Sequence, residues 1–223
     1  MDDQHRCQRL HRDGCILQFR LMLAMRQNKK PSQGFTLIEL LVTLAIGVIL
    51  MLVAIPSLNT YKRNAELTSA TNTLLASINA ARGEAMKRGA NAMVVPTNNG
   101  TDWNAGWIVF AYKFGVSRAT AYTYDATYDK IISTQGALPS YINVTGNGTA
   151  GSSAPYIMFD ASGYSKTKAG GFGALALTLA RTDSSGAALS NQTRRILIAS
   201  TGRTRTCKPT SATDTTCAAN STE

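Results

Sequence analysis

Histidine is almost missing from this sequence: there are two, His5 and His11, and none in the 212 positions that follow. A Ser-His-Asp or Cys-His arrangement, or a histidine metal centre, is thereby excluded from nearly the whole chain. Carboxylates are also scarce, 13 Asp and Glu against 23 Lys and Arg, for a formal net charge of +10. Such a surplus points to a polyanionic partner, an anionic membrane surface or a topogenic basic end. The 44% hydrophobic and 16% charged content rules out a disordered chain or a coiled coil, and 223 residues suit one domain or one and a half, not a tandem enzyme. Cysteines number only four.

What is present is strongly polarised along the chain. Met1 to Gly34 holds seven basic residues and three acids with no usable apolar period. Gly34-Phe35-Thr36-Leu37-Ile38-Glu39 follows, and then an uncharged run from Leu40 to Tyr61. Twenty-two helical residues rise roughly 33 Å, enough for a bilayer's hydrocarbon core. Basic residues before the run and none within it place the N-terminus in the cytoplasm. An ordinary secretory signal has its small-residue cleavage site after the apolar stretch, whereas here the glycine precedes it.

Lys29 to Val42, Lys-Lys-Pro-Ser-Gln-Gly-Phe-Thr-Leu-Ile-Glu-Leu-Leu-Val, resembles the class III signal of type IV pilins and type II secretion pseudopilins. The resemblance implies cleavage by a prepilin peptidase between Gly34 and Phe35, N-methylation of Phe35, and retention of the apolar segment as an assembly helix. Leaders in these families are brief, so Met25 reads as the start and residues 1–24 as a misassigned extension. Glu39 is a carboxylate at the head of a membrane helix, which is costly unless paired. By resemblance its partner is the α-amino group of Phe35 on a neighbouring subunit; the alternative is a side chain that snorkels to the cytoplasmic headgroups.

The expected organisation is a leader over 1–34, a transmembrane and assembly helix over 35–61, an amphipathic helix half over 62–89 and a β-rich head over 90–223. Pro56 removes one backbone donor and should kink the helix. Beyond it Leu67, Ala70, Leu74, Ile78, Ala81 and Ala85 recur at three and four residues, one buried stripe, and Lys87-Arg88-Gly89 makes a C-terminus. Short β-type runs follow: Ala92–Val95, Gly106–Tyr112, Lys130–Thr134, Tyr141–Thr145, Tyr156–Asp160, Phe172–Ala180 and Thr193–Ser200. The fold class is α+β, one long helix packed on antiparallel sheet, with two small sheets expected. Trp103 to Phe110, Ile157 to Gly163 and Arg195 to Arg205 resemble, in order and spacing, the GspH/FimT family of H-type pseudopilins and FimT and FimU minor pilins. The fold implied is that of type IV pilins, with other pilins or pseudopilins and the inner membrane as partners.

Enzyme motifs are weak. Gly146-Asn147-Gly148-Thr149-Ala150-Gly151 matches GxGxxG, but a further strand follows where a helix should cradle phosphates; no cofactor and no metal is expected. Cys207 and Cys217 flank nine residues and in an oxidising periplasm read as a disulfide that staples a Thr/Ser-rich tail.

Without residues 1–34 the charge falls to +6, and Lys166 to Lys208 alone holds eight basic residues against Asp183. If Gly202 to Cys207 is extended, Arg203 and Arg205 share a face about 7 Å apart, near the phosphate spacing of a nucleic acid. The Gly202-Arg203-x-Arg205 element resembles that of FimT-type pilins that bind DNA in natural transformation, and Lys208, Arg194 and Arg195 join the site by charge and proximity. The partner expected is double-stranded DNA, held through its backbone because no aromatic cluster adjoins the arginines in sequence. The competing reading is a solvated basic edge, or a docking surface in a structural pseudopilin or tip adaptor.

Overall fold

A computed structural model describes residues 34–97, 100–113, 123–183, 190–211 and 213–218. Most of the leader expected over 1–34 lies outside them. The chain forms two compact units that meet between Val53 and Ala54, and each is described by itself.

In the first unit a helix, α1, begins at Leu37 and continues in sequence to Arg88. Thr36 caps it: its Oγ1 accepts from the Glu39 amide at 3.3 Å, and its carbonyl accepts from the Leu40 amide at 3.2 Å. Every Leu, Ile, Val and Met from Leu37 to Leu52 is half or more exposed. A helix apolar on all sides requires a membrane or a protein sheath around it. Among the described residues no single unbroken helix is long and apolar enough to cross a membrane; Leu37–Leu52 and Ser57–Arg88 meet that test together, by length and composition, across a break that contains Pro56.

In the second unit α1 buries one stripe, Leu67, Thr71, Leu74, Ile78, Ala81 and Ala85, all at 0–2% exposure. The spacing alternates four and three, the seam of one helix face. Thr71 occupies the place expected of Ala70, which is only partly buried; its hydroxyl is satisfied by the Leu67 carbonyl at 2.8 Å, which lets a polar residue sit in the core. Gly89, at φ 62°, ends the helix, and the Ala90 amide returns to the Ala85 carbonyl at 3.2 Å.

Among the described residues eight strands follow: β1 Ala92–Pro96, β2 Trp107–Tyr112, β3 Asp129–Gln135, β4 Ile142–Gly146, β5 Ile157–Phe159, β6 Leu175–Arg181, β7 Thr193–Ile198 and β8 Thr204–Cys207. They make two four-stranded sheets, ordered β3-β2-β1-β5 and β4-β6-β7-β8, with every pairing antiparallel. The α+β class with two small sheets thus stands. One core joins the helix stripe to both sheets through Val94, Trp107, Val109, Phe159, Leu177 and Ile196. Two indoles are anchored, Trp107 Nε1 donating to Ser77 Oγ and Trp103 Nε1 to the Ala150 carbonyl, each at 2.9 Å.

Two strand expectations need correction. β6 starts at Leu175, three residues later than the run from Phe172 suggests, because Phe172 pairs across an isolated bridge with Lys166 instead. β8 is a full member of its sheet although Thr204-Arg205-Thr206-Cys207 has no apolar alternation.

Candidate functional site

The β7–β8 hairpin carries the Gly-Arg-x-Arg element. Its turn is closed by the Gly202 amide donating to the Ala199 carbonyl at 2.8 Å and the Ala199 amide to the Arg203 carbonyl at 2.9 Å. Gly202 has φ 78°, and a Cβ built there would stand 1.9 Å from the Gly163 carbonyl oxygen. Glycine is therefore demanded twice, by the left-handed backbone and by the neighbouring loop. The loops are joined further by the Ser165 amide donating to the Ser200 carbonyl at 3.1 Å. Arg82 of α1 clamps both: Nε donates to the Gly163 carbonyl at 2.9 Å and one terminal nitrogen to the Thr201 carbonyl at 3.4 Å. No sequence signal marked Arg82 out, since its partners are backbone oxygens.

Register decides which arginines meet. Leu197 opposes Arg205, and Arg195 opposes Cys207, so Arg195 and Arg205 share a face, with Arg203 by alternation on it too. Arg194, one residue from Arg195, takes the other face: it donates to the Asn191 and Thr193 carbonyls and to Thr68 Oγ1 on α1. Burial lowers its pKa. It does not join the others, a correction that follows from strand alternation.

Two of the three arginines that do share the face are committed. Arg195 donates to the Cys217 carbonyl and Arg205 to the Thr216 carbonyl. They brace the loop closed by the Cys207–Cys217 disulfide, whose Cα atoms are 5.9 Å apart. Asp214 organises the same loop, accepting from the amides of Thr210, Thr216 and Cys217 and from two threonine hydroxyls. Those donors, the Thr210 amide first, hold its carboxyl well below the usual carboxylate range. The side chains of Arg203 and Lys208 are exposed and make no hydrogen bond or ion pair among the described residues.

The basic surplus of residues 166–208 is accordingly not one surface. Arg181 is 4% exposed and its guanidinium is bound to Asp183 at 2.6 and 2.8 Å and to Asn64 on α1. Arg63 makes a second ion pair to Asp183. The Arg181 hydrogen bond, then that of Arg63, lowers the Asp183 pKa against the opposing effect of burial. This network pins α1 to the end of β6. The absence of aromatics also needs correction: Tyr164 and Phe172 stand 41% and 62% exposed on the loop that abuts Gly202.

The GxGxxG segment closes on itself. It ends β4 and forms a four-residue 3-10 turn, Gly148–Gly151, and a Cβ on Gly146 or Gly151 would meet backbone at 2.4 or 2.3 Å. Among the described residues the next element in the chain is the strand β5, not an α-helix.

At the other end of the chain, Gly34 and Phe35 are exposed ahead of α1 and Glu39 is exposed in its first turn, where the helix dipole favours a carboxylate.

The family model described as type II transport protein GspH matches residues 70–202, more than half of the chain. The prokaryotic N-terminal methylation motif matches residues 29–55. No curated protein matches in sequence. Among solved structures, the type IV minor pilin FimU of Pseudomonas aeruginosa is similar at 16% identity and TM-score 0.48, over 68% of this chain and 99% of that one. The minor pseudopilin EpsH of Vibrio cholerae is similar at 12% identity and TM-score 0.43, over 64% and 97%.

Proposed function

The chain belongs to the family of the type II transport protein GspH, and from that premise we propose that it is a minor type IV pilin that binds double-stranded DNA non-specifically through Arg203, Lys208 and the edge they share. Prepilin peptidase cleaves between Gly34 and Phe35, and residues 35–61 anchor the subunit in the inner membrane with the head in the periplasm. Glu39 pairs with the freed α-amino group of Phe35 on an adjacent pilin as the filament grows. The methylation-motif match over 29–55 and the exposure of every Leu, Ile, Val and Met from Leu37 to Leu52 support this route. Cleavage and assembly require no chemistry from the head.

One observation carries the DNA reading: an edge strand that places Arg203 and Arg205 on one face, with Arg203 and Lys208 uncommitted beside it. The phosphate backbone is the ligand such a pair suits, and binding through it is salt-dependent and blind to sequence. The test is fluorescence anisotropy of the full chain in detergent micelles with a labelled duplex across a salt series. Arg203→Ala with Lys208→Ala should weaken binding and reduce the salt slope by about 2. A duplex that shows no salt-dependent binding to the parent protein would overturn the reading.

A second reading has its own support. Because Arg195 and Arg205 hold the disulfide loop, much of the cationic edge serves the fold, as suits a structural pseudopilin of type II secretion or a tip adaptor without DNA. Deletion that leaves transformation intact and abolishes exoprotein secretion would favour it.

A further inference from the structure

Tyr164 and Phe172 form an edge-to-face pair, ring centroids 5.4 Å apart, planes at 63°. Aromatic pairs of this kind normally serve a core, and elsewhere in the head Phe110 and Tyr124 do so, ring centroids 5.8 Å apart. Here Phe172 keeps 62% exposure and Tyr164 41%, with Met86 of α1, at 48%, against the neighbouring Gly163. Large rings left in water next to one another mark a surface with a partner.

The charges around the pair indicate what that partner is. Lys166 Nζ stands 3.7 Å from the Phe172 centroid and Lys168 Nζ 4.7 Å from that of Tyr156. Arg82 reaches the same loop at the Gly163 carbonyl, and Arg203 lies one residue beyond Gly202, which packs on Gly163. Asp160 is turned into its own loop, accepting the Ser162 and Tyr164 amides at 2.9 and 3.0 Å, and is paired with Lys166 at 3.6 Å. Lys166 thus lies over the Phe172 ring, Lys168 follows on the same loop, and Arg203 comes just after the glycine that packs on that loop. A protein partner would need only the rings; exposed rings with cations on the same and the adjoining loop suit a polyanion that also offers flat π faces. In a duplex those faces are stacked away, and only an unpaired strand can present them.

We infer that the Tyr164–Phe172 pair and the cations around it form a binding platform for single-stranded DNA, contiguous with the Arg203 edge. The inference rests on the DNA-binding reading above and extends it from backbone contact to base stacking. The aromatics hold one or two unstacked bases while Lys166, Lys168 and Arg203 follow the phosphates on either side.

The test compares a labelled 15-nucleotide oligothymidylate with a 15-base-pair duplex, binding to the full chain in detergent micelles. The parent protein should bind the single strand more tightly. Tyr164→Leu with Phe172→Leu keeps apolar bulk but removes the π faces, and should weaken single-strand binding about tenfold while leaving the duplex within about twofold. Phe172→Trp in the parent should preserve single-strand binding, which guards against reading a folding defect as a lost site. Equal affinity for both DNA forms, or leucine variants that bind the single strand like the parent, would overturn the platform and leave the duplex reading intact. Leucine variants that bind normally yet fail to enter filaments would reassign the pair to a subunit contact. Failure of the parent to bind either DNA would remove both readings.

Discussion

Replacing Gly202 by alanine separates two demands that the hairpin makes on one residue. The left-handed φ of 78° costs an alanine about 1–2 kcal/mol. The new methyl would also lie 1.9 Å from the Gly163 carbonyl oxygen. That obstacle is backbone, held by Arg82, so relief requires the two loops to part, at about 1–3 kcal/mol in a packed interior. Gly202→Ala should therefore lose about 3 kcal/mol, or about 6–12 °C of melting temperature in a unit of this size. Gly163 is the control. It has the same φ of 78°, but its methyl would meet Met86 Sδ at 2.8 Å and Arg82 Nε at 3.2 Å, and a thioether end swings aside cheaply. Gly163→Ala should lose about 1–2 kcal/mol, the backbone share alone. Asparagine sharpens the contrast, because it tolerates the left-handed region: at 163 it should be milder than alanine, at 202 it should remain severe. The assay is thermal melting of the full chain followed by circular dichroism in one detergent. A Gly163→Ala loss equal to or larger than that of Gly202→Ala would refute the account of close loop packing.

Three further outcomes follow from the same structure. Asp183→Asn, which leaves the nearly buried Arg181 facing a neutral amide, should cost about 2 kcal/mol near pH 7. Because the folded-state pKa of Asp183 lies below its unfolded value, the stability it confers is present above about pH 4 and lost as pH falls further; the variant's acid unfolding profile should be correspondingly flatter. Cys207→Ser should lose about 2–3 kcal/mol by chain entropy, and a reductant should reproduce the loss in the parent but add nothing to the variant. Glu39→Ala should be processed normally yet be absent from sheared filaments by immunoblot, and its recovery there at parental levels would count against the pairing with Phe35.

Much of the head was legible because β-branched and aromatic runs alternate with turn residues, as from Trp107 to Tyr112 and from Thr193 to Ile198. β8 was not, since Thr204 to Cys207 enters the sheet through backbone pairing to β7 and has no apolar period to betray it. The helix stripe was readable to within one residue; Thr71 replaces Ala70 because a hydroxyl bonded to its own helix is cheap to bury. In the candidate site, charge counting overreached. It gathered Arg194, Arg195 and Arg205 into one site although each is engaged by neighbours elsewhere in the sequence or on the opposite face. Alternation alone could have parted Arg194 from Arg195. The Tyr164–Phe172 pair was hidden for a different reason: seven residues separate the two, and the Lys166–Phe172 bridge, with the turn at Thr167 to Gly171, brings one ring onto the other.

Arg82 grips the two loops by their carbonyls and leaves their side chains untouched. The scaffold is consequently indifferent to what Tyr164, Thr201 or Arg203 happen to be, so long as both glycines and the clamp remain. Such an arrangement separates shape from specificity: the tip of the head can be rewritten for a different ligand, in nature or in the laboratory, by exchanging outward residues on a frame that stays fixed.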